Sequence, residues 1–271
     1  MDKSLVRKSA ATQYGFTLAE LTVVIVSVTL LAMVAASCTV SPSPVDSARA
    51  AKCRNNIRNI AEACRMYMNS PMMHRNSAIG AALPKVTPAP SSTNWGSAAK
   101  GNPSALWLLV RYKLIGRSSF VCPSAEASGY SRTPRPGDSA FTDNTLSYSY
   151  LSQVRFTDAN TSAEIEITGP VNKGLRPSEL AVIADANPRC RPGRQGLDND
   201  QIGANSLNHD RVGQNVGFVD GRADWFSTTT IPDTKPLNNR SEPDDIYRSC
   251  GRGNDDADGR RGAINDAFLI P

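Results

Sequence analysis

A run of twenty residues without a charge, from Leu21 to Val40, constrains the fold of this 271-residue chain more than any other feature. At about 1.5 Å of rise per residue, a helix of that length crosses the hydrocarbon core of a bilayer, which is roughly 30 Å thick. Hydroxyl side chains lower the hydrophobicity of the run, but each can bond back to a carbonyl of its own helix. They are Thr22, Ser27, Thr29, Ser37 and Thr39. The sequence predicts one transmembrane helix over residues 16–40.

The charges around this run predict its orientation. Lys3, Arg7 and Lys8 precede it with only Asp2 against them, so the positive-inside rule places the amino terminus in the cytoplasm and the remaining chain outside. The net charge of the whole chain is +5. Its positive charges are too few and too scattered for a nucleic-acid surface, so we expect no nucleic-acid partner.

A glutamate stands directly before the apolar run, within GFTLAE at residues 15–20. A secretory signal peptide has its cleavage site after the apolar stretch, whereas here Gly15, Phe16 and Glu20 all precede it. This order resembles the prepilin signal of type IV pilins and of the pseudopilins of type II secretion, and it matches that motif at Gly15, Phe16, Thr17, Leu18 and Glu20.

The resemblance implies a function for each part of this motif. Prepilin peptidase would cut between Gly15 and Phe16, and Phe16 would become the methylated amino terminus. A carboxylate in a bilayer is unfavourable by a few kcal/mol and usually finds a partner. In the pilin family, the residue at the position of Glu20 pairs with the terminal amine of a neighbouring subunit during assembly. The alternative is that Glu20 only marks the headgroup boundary.

A second type of processing is also conceivable at the other end of the run. AASC at residues 35–38 resembles a lipoprotein cleavage site, in which lipid is attached to Cys38 after the helix is removed. Ala35 stands where leucine is preferred, and lipidation would leave GFTLAE unexplained. A cysteine packed in a helix is a third interpretation of Cys38.

After the apolar run, residues 41–68 predict an amphipathic helix. Pro42 and Pro44 interrupt the first helix, and Ser43 can cap a new one that has Pro44 in its first turn. One face carries a stripe with steps of four and three, formed by Cys53, Ile57, Ile60, Cys64 and Tyr67. Such a stripe predicts packing against a sheet.

The remaining residues, 69–271, are expected to form one globular head of α+β class. Residues 69–103 indicate a loop, and NPSALWLLVRYKLI after them a short helix capped by Asn102 or Ser104. LSYSYL and LAVIADA predict strands. The predicted fold is therefore a pilin-like head, in which a long N-terminal helix, transmembrane in its first half, packs on an antiparallel sheet.

A hairpin is predicted within HDRVGQNVGFVDGRADWF at residues 209–226. Asp220-Gly221 favours a two-residue turn, which would pair Phe218 with Ala223. Together with CRNNIRNI at 53–60 and FVCPS at 120–124, this stretch resembles bacterial pilin-like proteins that end in an H-X9-DG domain, with His209, Asp220 and Gly221 as the motif. Ten residues, not nine, separate His209 from Asp220.

No catalytic motif accompanies His209. Asp210 and Ser206 lie nearby, but the sequence has neither a nucleophile elbow nor a metalloprotease motif. We expect His209 to be a structural hydrogen-bonding residue and the protein not to be an enzyme.

Six cysteines fit the oxidising cell envelope. Five lie after the apolar run and are disulfide candidates, with Cys122 expected to pair with a cysteine of the amphipathic helix. They are Cys53, Cys64, Cys122, Cys190 and Cys250. Cys53 and Cys64 are three helical turns apart and cannot pair with each other. Cys190 with Cys250 is the second candidate pair, and buried free thiols are the alternative.

An acidic stretch near the carboxyl end, NDDADG at residues 254–259, resembles the start of a calcium loop. Asn254, Asp256 and Asp258 provide alternate oxygen ligands, but Asn265 stands where a bidentate glutamate is usual. A solvated acidic loop is the favoured interpretation, so we expect no cofactor, with calcium as the alternative.

Taken together, these patterns predict a pilin-like or pseudopilin-like structural subunit with a leader at residues 1–15. It would lie in the bacterial inner membrane with its head outside. Its partners would be prepilin peptidase, the pilus or secretion assembly machinery and other subunits of a homo- or hetero-oligomeric filament. The alternative is an envelope-anchored binding module that never polymerises.

Overall fold

The structure is a computed structural model that describes residues 17–38, 44–70, 83–84, 95–138, 141–142, 144–151, 156–157, 164–165, 177–190, 198–232, 244–248 and 269–270. Of residues 34–38, 95–101, 156–157, 164–165, 199, 244 and 270, only the backbone is described. The chain divides into two units, residues 1–44 and 45–271, and each is treated by itself.

The first unit contains helix α1 (Leu18–Cys38), whose amino terminus is closed by a capping box. The carboxylate of Glu20 accepts hydrogen bonds from the Thr17 amide and hydroxyl, both at 2.8 Å, and the Thr17 hydroxyl accepts one from the Glu20 amide at 3.3 Å. These reciprocal bonds satisfy amide groups that the first turn of a helix leaves without partners. Glu20 therefore has a local role that the sequence analysis did not identify.

The large apolar side chains described in α1 are between 48% exposed, at Val24, and 82% exposed, at Leu18. As predicted, the hydroxyls of Thr22, Ser27 and Thr29 donate to carbonyls of the preceding turn. Among the described residues, no helix reaches the combination of length and hydropathy needed to cross a membrane.

The second unit begins with helix α2 (Pro44–Asn69), which carries the predicted apolar stripe. All five residues of that stripe are buried: Cys53, Ile57, Ile60, Cys64 and Tyr67. The residues before Cys53 are mostly exposed, so α2 enters the core only from about its tenth residue onward. The expected cap at Ser43 lies outside the described residues.

Helix α3 (Trp95–Arg111) starts earlier than predicted and contains Pro103 in its interior. The loop prediction is therefore wrong for residues 95–103, as is the cap at Asn102 or Ser104, whereas residues 71–82 and 85–94 lie outside the described residues. Asn102 is buried within the helix, and its amide donates to the Tyr150 carbonyl at 2.9 Å. The hydrogen bond from Asn102 to Tyr150 stabilises the helix at a position where Pro103 alone would favour the first turn of a helix. A 3₁₀ turn (Arg117–Phe120) and the short α4 (Pro123–Ala127) follow.

The main sheet has five antiparallel strands, which makes the fold α+β. The order is β6, β5, β4, β1 and β9, formed by Ala223–Phe226, Gln214–Phe218, Ala181–Asp185, Tyr148–Leu151 and Leu269–Ile270. Both predicted strand segments are present, as β1 and β4. Two small antiparallel pairs complete the strands: β2 (Phe156–Thr157) with β3 (Glu164–Ile165), and β7 (Thr230–Ile231) with β8 (Asp244–Asp245).

The β5–β6 hairpin exists, but its register differs by one residue from the prediction. Gly217, not Phe218, lies opposite Ala223. The turn contains three residues, because Gly221 adopts φ +92° and the Phe218 amide donates to the Arg222 carbonyl at 2.9 Å. A glycine in this conformation after a tight turn forms a bulge, and a one-residue shift moves side chains to the other face. Ala223 therefore shares a face with Gly217 rather than with Phe218.

Gly217 of β5 packs closely against both α2 and β4. A Cβ atom there would lie 2.7 Å from Cγ2 of Ile183 and 2.9 Å from Cγ2 of Ile57. Both neighbours are fully buried, so neither has free space to move into. The absence of a side chain at Gly217 therefore sets how tightly the helix packs.

We expect Gly217→Ala to lower the free energy of unfolding by about 1–3 kcal/mol, because an added methyl overpacks this contact. Chemical unfolding of the full chain in mild detergent measures the change. The control is Gly137→Ala, where a Cβ would meet nothing within 4 Å. Equal stability of the two variants would contradict the close packing of α2 on β5.

Candidate functional site

Four side chains from four separate elements meet beneath α2. They are Cys53 of α2, Cys122 at the start of α4, Asp185 at the end of β4, and His209 at the end of a 3₁₀ turn, Leu207–His209. One nitrogen, oxygen or sulfur atom from each lies within 4.8 Å of the others. The first three residues are completely buried, and the His209 side chain is 6% exposed. We call these four residues the buried cluster.

Local structure fixes each member of the buried cluster. Cys122 precedes Pro123, which begins α4, and its carbonyl accepts the Glu126 amide at 2.9 Å. The β1–β4 register places Asp185 opposite Tyr148. After His209, Asp210 adopts a left-handed conformation and turns the chain toward β5.

Asp185 is the centre of the hydrogen bonding. Its Oδ1 accepts bonds from the Asn208 amide at 2.8 Å and the Cys53 thiol at 3.1 Å. Its Oδ2 accepts the backbone and side-chain amides of Asn215 at 2.7 and 3.0 Å and lies 3.2 Å from His209 Nε2. A buried carboxylate is tolerated only with such partners, so this network accounts for its burial.

The two thiols complete the buried cluster from the helical side. Cys53 Sγ lies 3.3 Å from the hydroxyl of Tyr148, and Cys122 Sγ lies 3.9 Å from His209 Nε2. Asn56, one turn after Cys53, donates to the Val121 carbonyl at 3.0 Å. This bond fixes the segment that carries Cys122 against α2.

Burial and hydrogen bonding shift the pKa values of His209 and Cys122 in opposite directions. Burial lowers the pKa of His209, but the hydrogen bonds with Asp185 and Cys122 outweigh it and raise the pKa to about 10. Burial raises the pKa of Cys122, but its contacts with Cys53 and His209 lower the pKa to about 6. Burial raises the pKa of Cys53 well above its ordinary value. The buried cluster thus combines an anionic carboxylate with a positively charged imidazole.

A groove of about 690 Å3 lies between α2 and the β5–β6 hairpin, and two of its lining residues contact the buried cluster. Asn215 lines the groove, and its side-chain amide lies 3.2 Å from His209 Nε2. Trp225 forms another part of the wall, with its ring edge-on to His209 at 5.3 Å between centroids. One layer of side chains therefore separates the buried cluster from solvent.

The donor atoms determine what the buried cluster can do chemically. Two sulfurs, one imidazole nitrogen and one carboxylate oxygen form a set that can coordinate a metal ion. The same two sulfurs lie within 4.8 Å of each other. Because the thiols are fully buried, a substrate cannot reach either sulfur without movement of the surrounding side chains.

The structure brings only some of the predicted site residues together. Cys53, Cys122 and His209 meet, whereas Cys64 lies elsewhere on α2, in contact with Tyr150. Cys53, Cys64 and Cys122 are free thiols, so pairing of Cys122 with a helix cysteine stays a prediction. Cys190 is partly exposed.

The two ends of the predicted H-X9-DG motif lie at opposite ends of β5. His209 contacts Asn215 near the start of the strand, whereas Gly221 lies beside Glu62 of α2. Asp220 and Gly221 form the hairpin turn and take no part in the buried cluster. Gly15, Phe16, Cys250, Asn254, Asp256 and Asp258 lie outside the described residues.

Sequence analysis missed three residues of the site: Asp185, Asn208 and Asn215. One signal was present, because Asp185 ends the otherwise apolar strand AVIAD, where a buried carboxylate requires partners. The two asparagines follow no spacing that sets them apart from other polar residues.

Comparison of the chain with protein-family models, curated proteins and solved structures finds no match.

We expect Asp185→Asn to lower the free energy of unfolding by about 2–4 kcal/mol. An asparagine amide would face a donor in either orientation, Asn208 on one side or Asn215 on the other. Chemical unfolding of the full chain measures the loss. The control, Asp224→Asn, removes the charge of two partly exposed ion pairs, with Arg54 and with Arg222, and should cost about 1 kcal/mol or less. Similar losses in both variants would show that Asp185 does not organise the site.

Proposed function

We propose that this chain is a membrane-anchored, type IV pilin-like or pseudopilin-like structural subunit. The main support for the proposal is the difference in side-chain exposure between the two long helices. α1 exposes its apolar side chains along the described length, whereas α2 buries one face in the head. An apolar helix that leads to an amphipathic helix on an antiparallel sheet is the design implied by the prepilin-like motif at residues 15–20.

Exposure of α1 supports an environment other than water for that helix. Nine of its valine, leucine and isoleucine side chains are each about half exposed or more: Leu18, Leu21, Val23, Val24, Ile25, Val26, Val28, Leu30 and Leu31. A contiguous apolar surface of this kind marks a site that contacts a membrane or another protein. In the proposed function, α1 lies in the inner membrane before assembly and in the filament core afterwards.

The capping box at Thr17 and Glu20 refines the proposed role of the glutamate. Glu20 holds the first turn of α1 through hydrogen bonds, which glutamine can also form. Pairing with the amine of a neighbouring subunit needs the negative charge as well. Substitution of Glu20 by glutamine therefore distinguishes the capping role from the pairing role.

The proposed partners are the inner membrane, prepilin peptidase, the assembly machinery and other subunits of a filament. The proposed location has the amino terminus in the cytoplasm and the head outside. A structural role is favoured over a catalytic one, because the thiols and the carboxylate of the buried cluster are fully buried.

The first test is mass spectrometry of the amino terminus of protein recovered from its native membranes. Processing as a prepilin gives a chain that begins with a methylated Phe16. A chain that begins with a lipid-modified Cys38 would contradict the proposal and support the lipoprotein alternative.

The second test compares Glu20→Gln with Thr17→Ala in filament recovery from cells. We expect Glu20→Gln to reduce filaments at least tenfold, because it removes the charge but retains the capping bonds. Thr17→Ala weakens the cap and retains the charge, so it should assemble. Equal filament recovery from Glu20→Gln and the wild type would contradict a role of the Glu20 charge in assembly, and absence of filaments from the wild type would indicate a membrane anchor that does not polymerise.

A further inference from the structure

We propose that the buried cluster of Cys53, Cys122, Asp185 and His209 is a structural binding site for Zn²⁺ or a similar borderline divalent cation. The site is independent of the anchor and of filament assembly, because all four ligands lie in the second unit of the chain.

Geometry is the first argument. In a tetrahedral zinc site, ligand atoms lie about 2.0–2.3 Å from the ion and therefore roughly 3.2–3.8 Å from one another. The distance from Cys53 Sγ to Asp185 Oδ1 is 3.1 Å, and from His209 Nε2 to Asp185 Oδ2 it is 3.2 Å. Cys122 Sγ lies 3.9 Å from His209 Nε2. These three contacts are close to tetrahedral spacing, although two of them use different oxygens of Asp185. One ligand atom from each of the four residues lies within 4.8 Å of the others, so the ligands need to move together by up to about 1 Å around an ion.

The chemistry of the four ligands selects the class of cation. Calcium and magnesium prefer oxygen ligands, whereas thiolates and imidazole favour zinc and related transition metals. Binding releases the thiol protons of Cys53 and Cys122 and the imidazolium proton of His209 to solvent, so that both sulfurs bind as thiolates and His209 binds as the neutral imidazole through Nε2. Two thiolates and one carboxylate then face a charge of +2, which leaves one negative charge on the site.

Neighbouring donors compensate that negative charge. The amides of Asn208 and Asn215 donate to Asp185, and the Tyr148 hydroxyl lies 3.3 Å from the Cys53 sulfur. Such second-layer donors orient the ligands of a metal site and stabilise its charge. All of these groups come from regular elements of the head, so they are positioned before a cation arrives.

The number of ligands and their surroundings indicate a structural site. Four protein ligands complete a tetrahedron and leave no position for a substrate, as in structural zinc sites. Asn215 and Trp225 lie between the groove and the cluster, and Asn215 contacts His209 Nε2 at 3.2 Å. The cation would link α2, the segment before α4, β4 and the 3₁₀ turn, which are far apart in the chain.

The experiment uses the full chain, purified in mild detergent, reduced and freed of metal by chelation. Zn²⁺ alone is titrated while bound metal per chain and the midpoint of thermal unfolding are measured. We expect one tightly bound Zn²⁺ per chain and a higher unfolding temperature. Replacing Zn²⁺ by Co²⁺ should give the thiolate charge-transfer bands and the intense visible bands of a tetrahedral site.

Variants provide the matched comparison. Cys122→Ser and His209→Gln should each weaken Zn²⁺ binding at least tenfold. Cys64→Ser removes another buried thiol of α2 that is not part of the cluster, and it should bind Zn²⁺ as the wild type does. Weakening by Cys64→Ser to the same extent would overturn the proposal.

Measurements on the wild-type chain also test the proposed Zn²⁺ site, even if a variant fails to fold. Failure of the reduced wild-type chain to bind Zn²⁺ would overturn the proposal. So would a disulfide between Cys53 and Cys122, found by peptide mapping of protein recovered from its native membranes without reductant.

Discussion

Burial of one carboxylate, that of Asp185, is the constraint on which the rest of the head depends. A charge without solvent is strongly unfavourable unless hydrogen bonds replace the water. Asp185 obtains these bonds from Cys53 on α2, from Asn208 in the 3₁₀ turn and from Asn215 on β5. Each donor is held by a different element. The arrangement of those elements around β4 therefore has little freedom.

The apolar packing of α2 acts together with this polar centre. Ile57 and Ala61 fit against β5 at Gly217, where a side chain would prevent the approach. Cys53, one turn before Ile57, brings the helix to Asp185. The first nine residues of α2 contribute little to this core.

Sequence patterns predicted the helices and strands whose formation depends mainly on residues close together in the chain. The stripe from Cys53 to Tyr67 has a helical period and needs only one apolar partner surface, so its burial was foreseeable. The strands β1 and β4 were predictable for the same reason. The hairpin register was not, because it depends on whether Gly221 forms a bulge. Asp185 was missed because its partners are distant in the chain and no spacing connects them. The start of α3 was missed because Asn102 binds a strand carbonyl that no local pattern reveals.

The central claim is that the later part of α2 and the sheet unfold together as one unit around Asp185. Amide hydrogen exchange of the full chain, read by mass spectrometry, tests it most directly. The account predicts equally slow exchange, at the rate of global unfolding, for α2 from Cys53 to Tyr67 and for β4 and β5. The exposed residues 44–52 should exchange much faster. Fast exchange across the whole of α2, with slow exchange retained in β4 and β5, would contradict it.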